Sequence, residues 1–201
     1  ELHEFYAGWN RGELAGYLVE ITGEIFSKQD EKSGRRLVDE ILDIARQNGT
    51  GQWTSESALE LQVPVPTIDA AVAMRNLSVL AGERTTASAA LLRALRSFPG
   101  DSRLFLEQLR GALLAGTIIA YAQGMALLKT ASEKYAYELD LSAVARIWRG
   151  GCIIRSAALE HFREAYHNQP ALPNLLLDPQ VGKTVMAHQE DLRVVVATAA
   201  Q

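Results

Sequence analysis

Residues 111–128, GALLAGTIIAYAQGMALL, contain no Asp, Glu, Lys or Arg. A run that apolar must be hidden, either in a bilayer or beneath other helices, and its length reaches the ~18 residues that flag a membrane span. Thr117, Gln123 and three glycines dilute it, and Arg110 and Lys129 flank it closely. Those features fit the central helix of a helical domain better than a lipid-facing segment. No membrane partner is expected.

Helical periodicity extends over nearly the whole chain. Leu14, Leu18, Ile21 and Ile25 step by four, three and four, which places them on one helix face after Asn10, with Asn10 as N-cap and Glu13 in the capping-box position. Leu37, Ile41, Ile44 and Ala45 repeat the pattern and predict a helix that stops near Gly49. A short helix is expected over residues 55–62, started by Thr54 and ended before Pro64 and Pro66. Thr67 then caps a helix over residues 68–96, broken by Phe98-Pro99-Gly100.

Asp101 or Ser102 caps the long apolar helix, expected to reach Tyr135. Residues 141–148 form the next, closed by Gly150-Gly151; residues 153–167 follow, and a last helix runs from Gln180 to the end. No window alternates apolar and polar residues between hairpin signals, so no strand is expected. The fold class is all-α, a multi-helix bundle occupying residues 1–201 as one domain. Both ends read as cut, because the chain opens in what resembles a last helical turn and closes on Ala199-Ala200-Gln201 with no stop signal.

Hydrophobic residues are 48% and charged residues 22% of the chain, which excludes intrinsic disorder. A net charge of −4 leaves no excess cation for phosphate counterion release, so nucleic acid is not an expected partner. Cys152 is the single cysteine and cannot close an intrachain disulfide, which points to a reducing compartment and a cytoplasmic location.

Most site motifs fail on inspection. His3, His161, His167 and His188 include no i,i+4 pair, so no metal centre is expected. Gly49-Thr50-Gly51 lacks the third glycine and the preceding strand of a dinucleotide loop; the glycines between 111 and 116 lead to Thr117 where a phosphate loop needs lysine. Cys152 lies near Arg149 and Arg155, but its Ile-Ile neighbours suit a small packed hydrophobe. Arg75 stands out. It interrupts the apolar run AAVAMRNLSVL and needs an anionic partner, either a local carboxylate or a bound anion.

The stretches WNRGELAGYLVEIT from Trp9, NGTGQWTSESALELQVPV from Asn48, AVAMRNLSVL from Ala71, IWRGGCIIRSAAL from Ile147, NLLLDP from Asn174 and RVVVATAAQ from Arg193 follow one another in a specific order. With the apolar run of residues 111–128 they resemble the helical C-terminal domain of long-chain 6-phosphogluconate dehydrogenases. The resemblance implies an NADP-dependent oxidative decarboxylase that converts 6-phosphogluconate to ribulose 5-phosphate and carbon dioxide in the pentose phosphate pathway. It further implies that the NADP-binding domain, the catalytic lysine and glutamate, and a partner-reaching tail lie outside these residues. No catalytic residue and no bound cofactor are therefore expected in the chain alone, which should be inactive by itself and belong to a homodimer.

Two substrate-contacting positions are implied within it. Arg75 matches the arginine of the family's phosphate pocket, and Gln52 occupies the place of a basic residue in the family's GTGKWT motif. Glutamine donates an amide hydrogen bond without charge, and Asn48 likewise stands where a lysine is frequent. The alternative reading is a non-catalytic dimerisation scaffold from a paralogue with altered substrate. Arg149 and Arg155 are read as helix-bridging cations.

Overall fold

The computed structural model describes residues 1–91, 98 and 100–200, and among these it has helices and two isolated bridges but no strand. The all-α expectation holds. Helix α7 (Ser102–Tyr135) is the axis. Asp101 caps it, its side chain accepting from the backbone N–H groups of Arg103 and Leu104, and Ala136 closes it in the left-handed conformation. The charge-free run supplies its buried face: Leu114, Ile118, Ala122 and Met125 meet Trp9 of α1 (Leu2–Trp9), Ala145 of α8 (Leu141–Arg149) and Phe162 of α9 (Ala158–Asn168) in one core. The helix is long and apolar enough to cross a membrane, with mean hydropathy 1.6, but 44% of that window is buried against its neighbours.

Other helices are capped in the same way. Asp140 caps α8 and Gly150 ends it, while Asp178 caps α10 (Pro179–Ala187) with Pro179 in the first turn. A 3-10 turn (Leu175–Leu177) precedes α10. The last helix departs from expectation, breaking at His188 before α11 (Gln189–Ala200). There the His188 ring and the Asp191 carboxylate, 2.8 Å apart, lie against α7 at Gly111, where any Cβ would collide with both.

Several expected boundaries are corrected. Asn10 does not cap a helix: it ends α1, and its side chain accepts the backbone N–H of Gly16, the residue before α2 (Tyr17–Ser27). Glu13 consequently has no capping-box role. Leu14 is buried in the core, while Leu18 is half exposed, so the predicted stripe divides between core and surface. The helix expected to reach Gly49 is a single turn, α3 (Leu37–Glu40). Ile41 and Leu42 stay exposed, and an amphipathic face with nothing to bury against does not hold a helix.

Helix α4 (Thr50–Glu60) begins five residues before the predicted start. Thr67 does not cap α5 (Pro66–Val79); its backbone N–H and hydroxyl bind the side-chain amide of Gln123 on α7. Leu80 separates α5 from α6 (Ala81–Ala90), so the predicted single helix is two, and its residues 92–96, like Pro99, lie outside the described residues. Helix α9 starts later than expected because Ser156 bridges to Gly16. Tyr121 also donates its hydroxyl to the Ile154 carbonyl, anchoring that connection to α7, and burial pushes its phenol up to about 12.

Candidate anion site at the start of α4

Gly49 has φ +92°, a conformation that glycine adopts without steric cost, and it turns the chain into α4. Among the described residues no side chain caps the first turn, so the N–H groups of Thr50, Gly51 and Gln52 have no side-chain acceptor there. The helix dipole makes that end attractive to an anion. Gly51 lies against α5: a Cβ there would stand 3.2 Å from Val72 Cγ2. Arg75 is one turn further along the same helix face.

Arg75 is exposed and pairs with no carboxylate among the described residues. Its Nη2 donates to the backbone carbonyl of Arg46 at 2.5 Å. The guanidinium therefore keeps its charge unneutralised and retains further N–H donors. Gln52 is also exposed, on the first turn of α4, but its Nε2 donates to Glu56 Oε1 at 2.7 Å. A guanidinium, a helix N-terminus and an amide thus lie on adjoining segments, α5 and the start of α4, which meet where Gly51 packs on Val72, and Glu56 adds a negative charge beside Gln52.

The irregular residues between α3 and α4 form a strap across α5 that sequence reasoning missed. Ala45 donates its N–H to Ser78 Oγ at 2.9 Å, and Gln47 Nε2 donates to Asn76 Oδ1 at 2.5 Å and to the Val72 carbonyl at 3.4 Å. Arg84 pairs with Asp43 at 2.8 Å, and the hydrogen bond and charge of Arg84 hold the Asp43 carboxyl below the usual carboxylate range. Asn76 and Ser78 flanking Arg75 were the available signal, since short polar side chains on a helix can carry an irregular segment.

An apolar groove of about 620 Å³ lies elsewhere, between α2, α7 and the connection before α9. Leu18, Leu113, Thr117, Gly124 and Ile154 make it apolar; Arg75 and Gln52 are not in its wall. Arg149 bridges α8 to α9 through Glu160, as the sequence suggests, whereas Arg155 lies in the connection before α9 and ties that segment to α2 through Glu20 at 2.7 Å. Among the described residues, no three metal-ligating side chains converge. Cys152 is a half-buried free thiol.

The model of the family described as 6-phosphogluconate dehydrogenase, C-terminal domain, matches residues 1–201. The chain belongs to the 6-phosphogluconate dehydrogenase family. It is 47% identical over 200 residues to the NADP(+)-dependent, decarboxylating 6-phosphogluconate dehydrogenase of Bacillus subtilis, covering 99% of this chain and 43% of that protein. It is 48% identical over 204 residues to the decarboxylating enzyme of Synechococcus elongatus, covering 100% of this chain and 43% of the relative. The Plasmodium falciparum 6-phosphogluconate dehydrogenase, solved in apo form, with its cofactor NADP+ and with its substrate 6-phosphogluconate, superposes with TM-score 0.93 at 40% identity. That match covers 99% of this chain and 43% of the solved one. The chain thus spans under half the length of these relatives.

Proposed function

We propose that this chain is the helical part of an NADP-dependent oxidative decarboxylase that converts 6-phosphogluconate to ribulose 5-phosphate and carbon dioxide. The observation that carries this reading is Arg75: an exposed guanidinium with no carboxylate partner among the described residues, held beside the uncapped start of α4. Such an arrangement grips a phosphate through charge-assisted N–H bonds from the side chain and dipolar N–H groups from the backbone. Gln52 adds a neutral donor where the family motif has a basic residue.

The chain's own contribution is binding and orientation. Fixing the phosphate end of the sugar acid leaves the carbons at its other end in a defined place, which lowers the entropic barrier to reaction there. NADP would supply hydride acceptance. The residues present do not suit it, because the Gly49-Thr50-Gly51 turn follows an irregular strap rather than a strand. We therefore assign the cofactor, and the lysine and glutamate that move protons, to residues outside this chain, and expect the chain alone to be inactive. The lone cysteine supports a cytoplasmic, reducing location.

A homodimer is part of the proposal, and the apolar groove beside α7 supports it as surface that association would cover. The second reading, a dimerisation scaffold without turnover, draws on that same groove. NADPH formation by the full-length protein with 6-phosphogluconate separates the two. Turnover supports the enzyme; a dimer in sedimentation with no turnover supports the scaffold.

A further inference from the structure

Gln47 joins three elements through one side chain. Its Nε2 reaches the Val72 carbonyl at 3.4 Å and Asn76 Oδ1 at 2.5 Å, and these two residues bracket Arg75 on α5. A backbone carbonyl only accepts, so the nitrogen of the amide must face α5. The opposite atom, Oε1, is buried without a donor among the described residues and lies against α4, where a Cβ on Gly51 would stand 3.1 Å from it. The residue just before Gln47 provides the carbonyl that holds Arg75. One amide therefore sits between the helix that carries the guanidinium, the strap that restrains it, and the first turn whose N–H groups complete the corner.

We propose that Gln47 is a positioning residue for phosphate recognition, setting the spacing between the Arg75 guanidinium and the N–H donors of α4. The inference rests on the reading of that corner as the phosphate site. A phosphate held from two sides binds well only when the donors are placed to within about half an ångström. Packing alone does not guarantee that spacing here, because Arg75, Gln52 and the strap are largely exposed, and the half-buried Gln47 side chain is what ties the strap to α5.

The test uses the full-length protein with 6-phosphogluconate, and inorganic phosphate as competitive inhibitor. Gln47→Leu keeps the bulk and removes the amide. It is expected to raise KM for 6-phosphogluconate and Ki for phosphate about tenfold, with kcat and KM for NADP within twofold of the parent. Asn76→Leu, which removes the shorter bond from its exposed end, should shift the same two constants in the same direction. Asn76→Gln, which keeps a neutral amide oxygen as acceptor and adds no charge beside Arg75, should restore them towards the parent values. Should Gln47→Leu fail to fold, the Asn76 pair decides alone.

Unchanged KM and Ki in the leucine variants overturn the proposal. So does a loss shared equally by kcat and both KM values, which marks a general structural role. Failure of the wider reading is distinguishable: there Arg75→Ala also leaves phosphate inhibition unaltered, whereas failure of this inference alone leaves Arg75→Ala impaired and Gln47→Leu normal.

Discussion

Arg75 of α5 donates to the carbonyl of Arg46, 2.5 Å away, across the strap that precedes α4. A carbonyl restrains a guanidinium without cancelling its charge, whereas a carboxylate would do both. That difference leaves the guanidinium charged, as the proposed phosphate contact requires. It also makes the neighbouring positions informative.

Gln52→Lys should tighten phosphate binding. Replacing a neutral donor by a charged one adds about 1–2 kcal/mol at such a site, a fall in KM for 6-phosphogluconate of roughly 5–30-fold. Glu56, which now accepts from Gln52 at 2.7 Å, would compete for the new ammonium. The gain should therefore be larger in a Glu56→Gln background and shrink as salt is raised. Steady-state kinetics of the two variants and the double variant at two ionic strengths measure both effects.

Gly111→Ala should destabilise the protein. The added methyl has no room, since Asp191 and His188 close over that point of α7. Overpacking of this kind costs about 1–3 kcal/mol, read as a lower urea midpoint with little change in slope.

Phe162→Ala should cost more. Phe162 is 1% exposed at the centre of the core, and truncating a buried phenylalanine costs about 3–5 kcal/mol. A smaller change in the unfolding midpoint would mean that the surrounding side chains collapse into the space.

Alkaline titration gives a fourth check. Burial pushes the phenols of Tyr121 and Tyr166 up to about 12, above the ordinary value of 10. Between those limits the unfolded chain ionises these groups while the folded protein keeps them neutral, so it is the folded state that binds more protons. Stability contributed by both is whole below pH 10 and is lost as pH rises towards 12. Ultraviolet difference spectra should show two of the tyrosines titrating last, coincident with unfolding.

The axis of the fold was legible because its signals are local. Asp101 caps the helix that follows it, Gly150 ends another, and the charge-free run of α7 demands burial wherever it lies. The segment after Leu37 misled because its apolar spacing is helical while its partner surface is absent, leaving Ile41 and Leu42 exposed. Arg75 and Gln52 were visible as residues through the family resemblance. The support around them was not: a backbone carbonyl has no signature in sequence, and the reach of Gln47 to Asn76 depends on an irregular path between two helices. The break at His188 is of the same kind, since the closeness of His188 and Asp191 to Gly111 on α7 is a tertiary contact with no local signature.

The most direct measurement is steady-state kinetics of Arg75→Ala in the full-length protein with 6-phosphogluconate. Losing a charge-assisted pair with phosphate, worth about 3 kcal/mol or more when its partner stays desolvated, should raise KM on the order of a hundredfold and weaken inhibition by inorganic phosphate in parallel. An unchanged KM and an unchanged phosphate inhibition constant would contradict the account, because the guanidinium would then hold the strap and nothing else.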